Sequence, residues 1–581
     1  MSDSEVPVQP EAQPEAQPEA QPEAQHEAQP EAQPASQSDA PQIQMSDSDL
    51  NDFLSTVEYK PPHIVFDKDQ YERDLADGLI VASRNVNNSP YLPSDLKASH
   101  NAQTLNVLPS NGKKKVVIAI TIAHNWPADY VQKCFDAFCT VYGFAQRQIE
   151  IINLGPLGSL GNPPIATSTQ AAANQPIIDA INTHINTSAN GTLLTEVANI
   201  TSMNRGLLNT IKYFNFNMPG ESGDKIGWLG EMILNFWAIA MNPNAHFRII
   251  NANSASGWDL ANSVVYASTD TNFTGNTYGT TDYVNMSWGD TDPGFDRKQY
   301  DDLIFINPRI CYFSAAGNYR WAGYPATSYN VMCVGGASLY YNPNLNAADN
   351  PTVKLWVGSN YRGGGCGFSH SIYGNEYTRP AYQNNLAELA NYNTLNRVCP
   401  DMCSLADPNT GLLIFYTNSD GTKIAQEKLG GTSLASPLLC GLFSHLSQRL
   451  INGDRKPLTT RMADVGATTL SNSTNLQDFL YSSFKSNELN TVFHDIVTSS
   501  DGAGRTQLMT DAHLGPNNNA VYFTKTGFDV PTGLGFPLMS KISDLMFPVQ
   551  TAPPTSTTYT TTVNNNLPRV RVVVNINTPR P

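Results

Sequence analysis

Ser433 sits in a setting that suits a nucleophile. The stretch Gly430-Gly431-Thr432-Ser433-Leu434-Ala435-Ser436-Pro437 opens an apolar segment, Pro437 to Leu450, that reads as a helix. Paired glycines let backbone approach a substrate closely, and a helix N-terminus turns free N–H groups toward developing negative charge. Small residues after the serine allow the helix to pack tightly beneath it. The same octapeptide also suits an ordinary helix cap, where Thr and Ser are favoured.

A catalytic serine needs a base, a group to orient that base, and donors for an oxyanion. None of the ten histidines lies in a His-Gly-Thr-His setting, and the first strand carries no Asp, so a Ser-His-Asp triad is not expected. A carboxylate can serve instead. Glu231 and Asn235 in Gly230-Glu231-Met232-Ile233-Leu234-Asn235 are four apart, on one face of an apolar helix. Burial there would raise the carboxyl pKa and favour proton exchange. The plainer reading is a partly exposed glutamate near a helix start. Ser314-Ala-Ala-Gly-Asn318 ends a strand in a Gly-Asn turn, and an Asn amide just past a strand end suits an oxyanion, although Gly-Asn is also a common turn.

The elements that must position these residues alternate. Val116 to Ile122 reads as a buried strand, Pro127 to Tyr142 as a helix and Gln148 to Asn153 as a strand, which is a right-handed βαβ unit in a parallel sheet. Trp228 to Met241 reads as one apolar helix. His246–Asn251, Asp282–Ser287 and Cys311–Ser314 read as further central strands. The fold class expected is α/β, a doubly wound, mostly parallel sheet with helices on both faces. The domain spans 113–547, with an insertion at about 155–224, and 60–112 reads as a linker or reduced pro-segment.

Residues 1–59 carry thirteen acids and no Lys or Arg, so most of the net charge of -16 belongs to a tail whose Pro-Glu-Ala-Gln repeats have no apolar face to bury. Nucleic acid is therefore not an expected partner. Residues 548–581 form a second tail, in which Val570–Ile576 reads as a lone strand; it and the N-terminal tail are candidate docking segments for a protein partner. The eight cysteines are scattered and read as buried thiols. No apolar run is long enough to span a bilayer, and the first residues lack the pattern of a secretory signal, which leads to an intracellular or particle-associated expectation.

The order of segments resembles the sedolisin (serine-carboxyl peptidase) family, whose fold is similar to subtilisin's. The resemblance is carried by Gly230 to Asn235, Phe247-Arg-Ile249, Met286-Ser-Trp-Gly289, Ser314 to Asn318, Arg362-Gly-Gly-Gly365, Pro400-Asp401, Ala406 to Gly411 and Gly430 to Pro437. It implies an endopeptidase with Ser433 as nucleophile, Glu231 as general base, Asn235 orienting it and Asn318 at the oxyanion. It also implies one calcium ion. Phe493-His-Asp495-Ile496 and Gly527 to Gly535 resemble the family's calcium loops, with ligands from the Asp495 and Asp529 carboxylates and the carbonyls of Ile496, Lys525 and Gly527. The alternative is a pair of surface turns.

Two positions depart from the family's pattern: Asn235 and Asn318 stand where it has aspartates, and Ile122 where some members have an acid. An amide donates without needing a proton, so the expected activity extends to less acidic pH. The departures, together with the short, polar stretch before the domain, leave a second expectation open. It is a catalytically impaired sedolisin fold acting as a structural or binding component of a larger assembly.

Overall fold

The structure is a computed structural model. It describes residues 91–103, 105, 113–155, 168–187, 223–289, 307–320, 322–341, 351–358, 362–369, 379–384, 386–389, 396–459, 475–485, 492–499 and 524–547, with a few shorter stretches such as 64–65 and 192–193. The repeat tail, the C-terminal tail and its expected strand lie outside the described residues.

The strands in chain order are β1 (Ile64–Val65), β2 (Val117–Ala123), β3 (Glu150–Asn153), β4 (Thr192–Leu193), β5 (His246–Ala252), β6 (Tyr283–Met286), β7 (Cys311–Ala315), β8 (Met332–Tyr340), β9 (Thr352–Leu355), β10 (Gly367–Phe368), β11 (Val398–Cys399), β12 (Met402–Leu405), β13 (Leu412–Thr417) and β14 (Lys423–Gly430). Seven of them run parallel in the order β12–β8–β7–β6–β2–β5–β3, and β9 adds antiparallel to β8. All seven residues of β2 are buried, which requires a layer on each face of the sheet. From β2 the chain moves out to β3, returns to insert β5, then crosses to β6 on the other side of β2. Strand order therefore reverses at β2, and the crevice beyond the carboxyl ends of β2 and β6 is where a doubly wound sheet offers a site. This is the doubly wound, mostly parallel α/β architecture expected.

Six helices bear on the site and its surroundings: α1 (Pro93–Ser99), α2 (Ala128–Tyr142), α3 (Ser168–Thr187), α4 (Gly223–Leu234), α5 (Trp237–Met241) and α6 (Gly257–Ser268). The seventh, α7 (Thr432–Asn452), is buried from Thr432 to Gln448 and runs against β6, β7, β8 and β12. Gly441 makes that depth feasible: a Cβ there would lie 2.2 Å from the Ala238 carbonyl of α5, so only glycine lets the two helices meet this closely.

Three expectations are corrected. The single helix expected over Trp228–Met241 is two, because the Asn235 N–H is shared between the Glu231 and Met232 carbonyls and Phe236 N–H turns back to Ile233. These tighter bonds end α4 at the candidate site itself. Helix α7 begins at Thr432 rather than Pro437, so Pro437 lies inside it. Finally, 91–105 is no linker. Tyr91, Leu96, Ala102 and Leu105 join the main core; Tyr91 donates to the Leu339 carbonyl at 2.6 Å, and His100 stacks on Phe536 with ring centroids 3.8 Å apart. Its polar residues hid a short helix that faces the core with only a few side chains. Within the expected insertion, α3 buries Ile177, Ile178, Ile181 and Ile185.

Candidate active site

Ser433 is the second residue of α7. Gly431, at φ 104°, caps the helix in a conformation that favours glycine. A Cβ on Gly430 would lie 2.5 Å from both Ala406 O and Pro408 N. The turn is thus tied to the 406–408 segment. Pro437 has no N–H to offer the Ser433 carbonyl four residues back, and the Ser287 hydroxyl donates to it instead, at 3.0 Å. Proline in the helix therefore creates the socket through which a loop after β6 holds the backbone of Ser433. Ser433 Oγ itself is buried and has no hydrogen-bond partner among the described residues.

Glu231 and Asn235 are both fully buried. Asn235 Nδ2 donates to the Glu231 carbonyl at 2.8 Å and to Glu231 Oε1 at 3.2 Å. Its Oδ1 accepts from Asn285 Nδ2 at 2.7 Å and from Ser287 Oγ at 3.1 Å. Glu231, Asn235, Ser287 and the Ser433 carbonyl are thus joined in one network spanning α4, the end of β6 and α7.

Asn318 follows β7, and its Oδ1 accepts from Thr432 N at 2.7 Å and Thr432 Oγ1 at 3.0 Å. The residue before the nucleophile therefore fixes which end of the amide accepts, and the NH2 end is the donor. The Asn318 carbonyl accepts from Gly363 N at 3.0 Å and the Gly317 carbonyl from Gly365 N at 2.8 Å, which brings the Arg362–Gly365 segment beside the turn.

Ile122 is a core residue, and Thr121 is the one that reaches the site: its hydroxyl accepts from Trp288 Nε1 at 3.0 Å. Sequence reasoning passed over Thr121, Asn285, Ser287, Thr432 and Ser436 as site residues. The available signal was a polar residue in an otherwise apolar central strand, Asn285 in Tyr-Val-Asn-Met. Asp401 has a structural role: fully buried, it pairs with Arg397 at 2.6 Å and accepts from Cys333 N and Tyr481 Oη. All eight cysteines are buried thiols, as expected.

The two expected calcium loops lie together. Gly527 N donates to Asp495 Oδ2 at 2.9 Å; Asp529 accepts from Lys525 N at 3.0 Å and from Thr532 N and Oγ1 at 2.9 and 2.6 Å. Burial pushes the Asp529 carboxyl up to about 7, against its hydrogen bonds and with a further push from the Asp495 charge. Asp495 is raised too, first by burial. Among the described residues no cluster of three or more His, Cys, Asp or Glu is arranged to hold a metal, so backbone carbonyls would have to complete a ligand set here. The two neighbouring carboxylates are of the hard-oxygen kind that such a cation takes.

Comparison with known proteins bears on this geometry. The model of the subtilase family matches residues 245–492, which takes in Asn318 and Ser433 and begins after Glu231 and Asn235. Sedolisin of Pseudomonas sp. (strain 101) is 28% identical over 236 residues. Over these stretches the chain is similar to the subtilase family and to sedolisin. The aligned part covers 39% of this sedolisin-like chain and 30% of the length of that relative. Among solved structures, Pseudomonas sedolisin, a serine-carboxyl proteinase complexed with two molecules of pseudo-iodotyrostatin, is 17% identical, with 78% of this chain and 97% of that one covered and a TM-score of 0.47. A lanthipeptide protease is 10% identical, with 80% and 96% covered and a TM-score of 0.37. Among the described residues, no helix of the sedolisin-like chain is long and apolar enough to cross a membrane.

Proposed function

We propose that the chain is a serine endopeptidase acting on peptide or protein substrates. Ser433 Oγ attacks the scissile carbonyl while the Glu231 carboxylate takes its proton. The Asn318 NH2 group and the N-terminal N–H groups of α7 receive the oxyanion. Glu231 then returns the proton to the leaving amine, and a water attacks the acyl-serine by the same route. The observation that carries the reading is Ser287 Oγ, which lies at hydrogen-bond distance from both Asn235 Oδ1 and the Ser433 carbonyl and so couples the base helix to the nucleophile helix. One observation favours the impaired alternative: Ser433 Oγ makes no hydrogen bond with Glu231 in this state. Such bonds commonly close only when substrate excludes water.

Labelling with a fluorophosphonate separates the readings. The expected result is one label on Ser433, absent in Ser433→Ala, with a labelling rate that persists to pH 7–8 because neither amide needs a proton to donate. No label at any pH from 3 to 8 would favour the inert scaffold, and a rate confined below pH 5 would count against the amide argument.

We further propose one calcium ion at the 495–529 loops, held by the Asp495 and Asp529 carboxylates and by the carbonyls of Ile496, Lys525 and Gly527; bound there, it would supply charge neutralisation and loop closure. With no cation, burial holds the folded Asp529 carboxyl up at about 7, above the usual carboxylate range, so its proton supports the fold at low pH and that support is lost as pH rises through 7. A cation replaces that proton. Calcium at about 100 times its dissociation constant should then add about 2.7 kcal/mol at pH 8 and much less at pH 5. Thermal melts with calcium or chelator check this, and an equal calcium effect in Asp529→Asn would remove Asp529 from the ligand set.

A further inference from the structure

The turn before Ser433 is built from the most permissive residue type a chain can carry. Glycine at 430 and 431 allows the close approach to the 406–408 segment, and it leaves the backbone there without side-chain restraint. The fold has to supply that restraint from outside. Gly431 N donates to the Ala406 carbonyl at 2.5 Å. The ladder between β13 and β14 ends at the pair Leu412 and Leu429, one residue short of Gly430. Gly430 is paired instead by β1, which runs antiparallel to β14 with Ile64 opposite Gly430 and Val65 opposite Leu429. Leu429 is thus flanked by a strand on each side, and the last residue of β14 is carried by a strand from the N-terminal stretch of the chain.

That stretch is anchored a second time. Tyr91 Oη donates to the Leu339 carbonyl of β8 at 2.6 Å and accepts from Tyr341 N at 3.2 Å. Helix α1 packs on α5. His100 Nδ1 donates to the Pro537 carbonyl at 2.9 Å, and its Nε2 meets Ser404 Oγ of β12 at 3.0 Å. Met539 N donates to the His100 carbonyl at 2.7 Å. A segment destined for removal would meet the domain along a surface that can part. This one contributes core side chains and backbone bonds to elements that are themselves buried, which is how a terminal segment is tied down for good.

We propose that β1 is a positioning strand: Ile64 and Val65 restrain the Gly430–Gly431 hinge, and the stretch that carries β1 and α1 is a working part of the peptidase rather than a pro-segment that processing removes. Its place in catalysis rests on the peptidase reading above; the restraint on the hinge does not. Without β1 the two glycines regain their freedom. The first turn of α7 then holds Ser433 less firmly against Asn318 and Glu231, a loss that falls on the chemical step.

The test uses the full chain and Ile64→Pro/Val65→Pro. Only one of two adjacent antiparallel pairs exchanges N–H···O bonds, so both residues are replaced. Hydrogen exchange of peptides covering 424–434 should quicken by about tenfold or more in the variant. Fluorophosphonate labelling of Ser433 should slow by about tenfold, with kcat falling and KM held. Ile64→Gly/Val65→Gly keeps both N–H groups and weakens the strand, so it carries the result where the proline variant does not fold. A second arm places a sequence-specific protease site between Leu105 and Lys113. After the cut, the N-terminal fragment should co-elute with the domain on gel filtration, and labelling should match that of the uncut chain. Labelling that survives release of the fragment, unchanged or faster, overturns the proposal. So does a folded variant whose exchange at 424–434 is unmoved. If wild type takes no label, the peptidase reading fails and the exchange still decides whether β1 restrains the hinge.

Discussion

Ser433→Ala should lower kcat on an unfolded protein substrate by roughly 10⁶-fold, the scale expected when a nucleophile that acts as a unit with its base is removed. KM should change little, because the hydroxyl reacts with substrate rather than binding it. Stability should move the other way. Ser433 Oγ is fully buried with no partner among the described residues, and a buried unsatisfied hydroxyl costs about 1–3 kcal/mol. The alanine variant should therefore melt higher, by about 1–3 °C in a protein of this size. Loss of activity joined to a gain in stability is the mark of a side chain kept for chemistry. A variant that loses activity and melts well below wild type would instead make Ser433 a structural group, and the nucleophile would have to be sought elsewhere.

Glu231→Gln should be the next most damaging change, at roughly 10⁴-fold or more in kcat. Glutamine keeps the shape, and its carbonyl end can accept from Asn235 Nδ2 as Oε1 does now at 3.2 Å, so the coupling through Asn235 and Ser287 to the Ser433 carbonyl survives. What disappears is the ability to take a proton. Residual activity should also lose the acid limb that titration of Glu231 imposes on the wild-type profile. Initial rates from pH 3 to 8 give both quantities. Retention of a tenth or more of wild-type kcat would show that another group removes the serine proton, and His124, beyond the end of β2 and against Trp228 of the same helix, would be the first candidate.

The chemistry at Ser433 was legible because its signals are local. A Gly-Gly-Thr-Ser turn before an apolar helix, and a Glu and Asn four apart on another, follow from glycine's conformational freedom and helical period alone. The helix boundaries were less legible for equally physical reasons. Pro437 read as a helix start because proline suits the first turn. Its actual place inside α7 is tolerated because Ser287, 146 residues before Ser433, replaces the missing donor to the Ser433 carbonyl. The break after Leu234 is made by bonds from Asn235 and Phe236 back to residues 231–233, but a sequence in which every residue from Trp228 to Met241 except Glu231 and Asn235 is apolar or small announces only a helix.

By itself, the sequence determined the parallel α/β class and pointed to the turn at Ser433 and to Glu231, Asn235 and Asn318 as candidate companions. Each of these depends on residue type and short spacing. The tertiary structure alone decided that Asn285, Ser287, Ser436 and Thr121 belong to the site, that Thr432 holds Asn318, and that 91–105 is part of the core. A polar residue in a buried strand has no assigned partner until the sheet registers and α7 lies across it. Only then do donors and acceptors from three distant stretches meet at 2.6 to 3.2 Å.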